Sequence, residues 1–118
     1  MIARIWHGRT PRAKADEFYA YIRETGESAC RTTPGNQGVL ILRRLRGEEA
    51  EFLLVSLWDN VHAIRRFAGP DIERAYYPFP RDREFLLELE PFVAHYELLA
   101  LSGLEPASVF AWPTGSPF

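Results

Sequence analysis

His7 stands beside Trp6 in the stretch "RIWHG", where an apolar run gives way to glycine. An imidazole titrates near neutral pH and is the usual general base. His7 and His95 are therefore the candidate proton-transfer groups, with Tyr77 as a catalytic partner that orients a substrate. Trp6, Trp58, Phe67 and Tyr76 are the candidate ligand platform, because small-molecule sites are mostly apolar with a few polar groups. Each residue also has a structural role open to it. His7 can be a strand-end histidine bonded to backbone, His95 a satisfied histidine among apolar neighbours, and the two tryptophans core. His62 falls on a helix turn, where solvent exposure is expected.

Other chemistries leave no trace. The three histidines are far apart in sequence, and no HxH or HxxxE pair supplies metal ligands at close spacing. "GNQG" follows a helix and precedes a strand, the wrong order for a dinucleotide-binding turn. No nucleophile elbow occurs. A net charge of -2 and a pI near 5.9 argue against a nucleic-acid partner, and "RRLR" at 43–46 reads as a solvated edge. Cys30 is the single cysteine, which suits a reducing, cytoplasmic compartment. No apolar run reaches the roughly 18 residues of a membrane span, and no signal peptide is expected. The arginine-rich basic set, with Lys14 its one lysine, reflects base composition more than chemistry.

The elements that must position these residues follow from periodicity. At 118 residues and 47% hydrophobic content, one domain over 1–101 is expected, followed by a tail over 102–118. Residues 2–7 read as a strand. Thr10 and Pro11 look like the cap and first position of a helix running to about 28, with Phe18 and Ile22 on one side. "TTPGNQG" is loop. Residues 38–46 and 51–58 form a hairpin about "GEEA". Asp59 or Asn60 caps a helix over 61–68, broken by Gly69-Pro70. A helical segment over 71–76, a loop at Pro78 and Pro80, a short helix within 82–90 and a last strand over 92–100 complete the domain.

This β-α-β-β-α-β order predicts an α+β, ferredoxin-like fold with a four-stranded antiparallel sheet and both helices on one face. "VLIL" and "FLLV" are apolar on consecutive positions, so both sheet faces require burial. A homodimer packed through the free face is the expected cover, with the tail folded over in cis as the alternative. Strands 1 and 3 are expected to run parallel at the sheet centre, clustering Trp6, His7 and Trp58 at one edge with Phe92 and Val93. Alternation sends Trp6 and His7 to opposite faces. His7 and His95 share a face if the register between first and last strands sums to an even number. Tyr76 and Tyr77 fall in the segment crossing back over the sheet.

The layout and the motifs "RIWHG", "YIRETG", "RTTPGNQGVLILRR", "FLLVSLWDNVHAIRRFAG", "DIERAYYP" and "PFVAHYELLA" resemble the antibiotic biosynthesis monooxygenase-like family of dimeric α/β barrels. The resemblance covers residues 1 to about 100. It implies a homodimer with a small-molecule ligand. The family includes cofactor-free monooxygenases acting on aromatic or polyketide quinols, haem-degrading enzymes and proteins with no known reaction. The first expectation is therefore a quinol-type monooxygenase without cofactor, and the alternative a non-catalytic ligand-binding or stress-related dimer. The haem-degrading branch carries an Asn on its first strand and a Trp-His pair in the second helical region. Here the strand offers Ile5, Trp6 and His7, while Phe67 and Tyr77 stand at the Trp and His positions. The missing signature argues against haem degradation.

Overall fold

Both central strands place their buried residues at even-numbered positions. In the computed structural model, which describes residues 1–103, β1 (Ile2–Pro11) buries Arg4, Gly8 and Thr10, and β3 (Glu49–Trp58) buries every even-numbered residue from Ala50 to Trp58. With β2 (Asn36–Arg46) and β4 (Ala94–Glu97) they form a four-stranded sheet ordered β2-β3-β1-β4, antiparallel throughout. The arrangement is α+β and ferredoxin-like. The turn between β2 and β3 is made at Gly47, whose φ of 57° falls where glycine carries no steric penalty.

The helices pack on the even-numbered face of β1 and β3. A short 3-10 turn leads into α1 (Ala15–Ile22). A π-helical turn over Arg23–Glu27 then continues the rod into α2 (Ser28–Thr32). Gly26 is thus accommodated within the helix. Asn60 caps α3 (Val61–Ala68), its side-chain oxygen accepting from the Ala63 amide at 3.0 Å. Gly35 lies at φ 94° against the start of this helix, where any Cβ would strike Ala63. Two packed clusters result. Phe18, Ile22, Phe52, Leu54, Phe85 and Leu86 fill the space under α1 and α4 (Asp82–Phe85), and Cys30, Trp58, Ala63 and Ile64 fill that under α3. Each large apolar side chain buried in this way contributes about 1.5–3 kcal/mol.

Several local expectations yield to tertiary pairing. Thr10 and Pro11 do not start the helix. They extend β1, opposite Ala50 and Glu49, with Thr10 fully buried. Residues 71–76 form a turn and a single bridge, Arg74 to Phe92, instead of a helix. The last strand is shorter than 92–100. Strands 1 and 3 run antiparallel, not parallel. The helical crossover makes β1 and β2 co-directional, and β3, hairpin-linked to β2, is inserted between them. Trp58 therefore pairs with Ile2, and Trp6 pairs with Leu54. Even β1 positions pair with odd β4 positions: Arg4 faces His95, which puts His95 and His7 on opposite faces. Residues 104–118, most of the expected tail, lie outside the described residues. Among the described residues no helix is long and apolar enough to cross a membrane.

Candidate functional site

Between the sheet and the helices lies a cavity of about 60 Å³. Its sheet wall is Arg4, Trp6, Leu54 and Ser56; its helix wall is Phe18, Ile22, Thr25, Gly26 and Cys30; its cover is Phe67 and the crossing segment with Tyr76, Tyr77 and Phe79. The π turn brings Thr25 and Gly26 to this wall, with the Thr25 hydroxyl bonded back to the Tyr21 carbonyl at 2.8 Å. Such turns recur at functional sites.

Trp6 fixes the middle of the cavity. Its indole N–H donates to the Tyr77 hydroxyl at 3.0 Å, which donates to the Glu90 carbonyl at 2.7 Å. Burial pushes the Tyr77 phenol above its ordinary value, so it stays a neutral hydroxyl. Tyr76 meets the edge of Phe67 at 5.5 Å between ring centres, and Phe67 rests on Trp58 at 5.6 Å. Trp58 is fully buried and gives its N–H to Ser56 Oγ at 2.8 Å, so it supports the cavity wall without lining it.

The two ends differ in charge. Arg4 occupies one end. Its guanidinium donates to the carbonyls of Ile72 and Arg74 and lies 3.0 Å from His95 Nε2. Burial lowers its pKa to about 10, which leaves it charged at neutral pH. Burial, followed by the neighbouring Arg4 charge, lowers His95 and favours its neutral imidazole. Near the other end Asp82 borders the cavity below Tyr21, and burial raises its carboxyl to about 6. Cys30 is pushed up to about 12 by burial, so its thiol is neutral.

His7 is elsewhere. On the opposite sheet face its Nδ1 lies 2.6 Å from Glu90 and its Nε2 3.3 Å from Glu51. Arg46, Arg44 and His7 hold the Glu51 carboxyl down at about 2. The "RRLR" run is spent on this surface network and on Arg43 with Asp16. His62 is exposed. Of the expected site residues, the structure brings together Trp6, Phe67, Tyr76 and Tyr77. His95 stands behind Arg4, Trp58 behind Phe67, and His7 is excluded from the cavity. Arg4 and Asp82 were missed. Arg4 left a signal: it shares the parity of Trp6 in a strand and so occupies a core-facing position. Among the described residues no group of three His, Cys, Asp or Glu side chains is arranged to hold a metal.

No family model matches the chain, and no curated protein does. Solved structures that share its fold include two of MhuD. One is a point variant of MhuD with two manganese protoporphyrin IX bound per active site, 22% identical over 87% of this chain and 99% of that one, TM-score 0.58. The other is the haem-degrader MhuD from Mycobacterium tuberculosis with two haems bound in its active site, 18% identical over 87% and 100%, TM-score 0.60.

Proposed function

We propose that this protein binds a compact aromatic small molecule between the sheet and the helices. The observation that carries the reading is a cavity at the sheet centre that is apolar along its length, holds a cation at one end, borders a carboxyl near the other and has the Trp6–Tyr77 pair between them. Its volume is well below the roughly 300–1,000 Å³ of drug-sized sites. Entry of a ring therefore requires the crossing segment to give way; that segment has no helix or strand of its own and is held by the Arg74–Phe92 bridge, the Arg4 bonds to Ile72 and Arg74 and the Trp6–Tyr77 bond. If catalysis follows, Asp82 is the group suited to take a phenolic proton, ahead of either histidine. Thermal-shift titration with hydroquinone under argon, and with other one-ring aromatics, tests binding: a saturable rise in midpoint is expected, and no response to any of them overturns the reading. Oxygen uptake above the buffer rate on admitting air would make it a cofactor-free oxidase or monooxygenase.

A second reading is favoured by the two similar structures, both with porphyrins bound. Haem does not fit the cavity as it stands. The space is too small, and no histidine lines it; the side-chain oxygens there are the hydroxyls of Thr25, Ser56, Tyr76 and Tyr77 and the Asp82 carboxyl. Haemin titration decides the matter, since a shifted Soret band is required.

The opposite sheet face supports a homodimer. Leu40, Leu42 and Tyr96 are 44%, 49% and 60% exposed on it, beside Leu53, Val55 and Leu57. A contiguous apolar face of this kind marks an association surface.

A further inference from the structure

Arg4 is 4% exposed, and every group it touches is neutral: two backbone carbonyls, the His95 imidazole and, at 6.0 Å, the Phe67 ring. Among the described residues no carboxylate forms an ion pair with it, whereas seven other arginines each have one. Acidic side chains are plentiful in this chain, at 16 Asp and Glu. A buried charge without a countercharge is costly, and native interiors pair it.

The remaining donors define what would pair it. The guanidinium has five N–H groups in a fixed plane. Two are spent on the Ile72 and Arg74 carbonyls, and a third faces His95 Nε2. Nε and one further N–H make no bond among the described residues, and the side chain lines the cavity. A planar oxyanion is the partner such a fork accepts. Phe67, Tyr76 and Trp6 next to it supply the faces for an aromatic ring. Asp82 and Tyr21 belong to the far end, and Arg4 gains no stabilisation from either.

We infer that the cavity selects an aromatic acid, whose carboxylate pairs with the Arg4 guanidinium while its ring lies along Trp6 and Phe67. This rests on the cavity being a ligand site. The competing role for Arg4 is a brace that only ties the crossing segment at Ile72 and Arg74 to the sheet.

Calorimetric titration of the full chain at pH 7.5 with benzoate and with benzamide, its neutral isostere, separates the two. Benzoate is expected to bind about tenfold or more tightly than benzamide, the scale of one charge-assisted fork. Arg4→Gln is expected to cost benzoate far more affinity than benzamide, and Arg4→Lys to retain part of the preference. Equal affinities in the unaltered chain overturn the inference, as does an Arg4→Gln variant that loses both probes alike. If Arg4→Gln does not fold, the comparison in the unaltered chain decides by itself. If neither probe binds while hydroquinone does, the cavity is a ligand site but not an acid site. If none of the three binds, both readings fall.

Discussion

The Trp6 indole N–H and the Tyr77 hydroxyl meet at 3.0 Å, and that hydroxyl in turn donates to the Glu90 carbonyl. One bond pair thereby joins the first strand, the crossing segment and the approach to the last strand. Tyr77→Phe leaves an indole donor and a carbonyl unsatisfied in a half-buried place. A loss of about 1–2 kcal/mol is expected by urea denaturation. Tyr76→Phe, whose hydroxyl makes no bond among the described residues, is the control expected to change little.

Gly8 lies where a methyl group would overlap the Trp6 ring, with Leu86 at 3.1 Å on the other side. Gly8→Ala must displace the indole, the piece that forms the cavity's middle. Overpacking of this kind costs about 1–3 kcal/mol. The variant is expected to melt lower and to lose the hydroquinone response. Retained binding would mean that the ring finds a second position compatible with a ligand.

Asp82 gives the stability a pH signature. Burial raises its carboxyl from 3.8 to about 6, with Tyr21 opposing the shift. Between those values the native protein holds a proton that the unfolded chain has released, so this group's contribution to stability falls as pH rises from about 4 to about 6. Asp82→Asn removes that slope. Relative to the unaltered protein, the variant is expected to gain stability between pH 4 and pH 7 in paired denaturation curves. Parallel curves would show a carboxyl that titrates normally.

His7 faces away from the cavity, between Glu51 and Glu90. His7→Gln is therefore expected to leave hydroquinone affinity and any oxygen uptake unchanged, while His95→Gln, next to Arg4, alters the benzoate preference. A His7 variant that abolishes binding would require a ligand site on the opposite face.

Leu42 stands exposed on the free sheet face, opposite Leu53. Leu42→Glu places a charge in the middle of the proposed dimer contact. Light scattering is expected to report a dimer for the unaltered chain and a monomer for the variant. A monomer in both cases removes the dimer.

Residue order carried the architecture. The apolar run "FLLVSLW", the helical spacing of Val61, Ile64 and Phe67 and the cap before it led to the right element types there and to the right fold class, because these are local patterns read against a small set of topologies. Strand alternation separated Trp6 from His7 correctly. Strand direction and register were another matter. The parallel placement of β1 and β3 moved Trp58 to the wrong end, and a one-residue shift against β4 decides whether His7 or Arg4 faces His95. Thr10-Pro11 carried a sound helix-start signal that pairing with Ala50 and Glu49 overrode. The sequence alone determined the main strands and helices and which residues within each strand share a face. The tertiary structure alone decided which faces meet. The charge of Arg4 and the carboxyl of Asp82 gain their meaning from burial in one cavity, and burial depends on residues far apart in the chain.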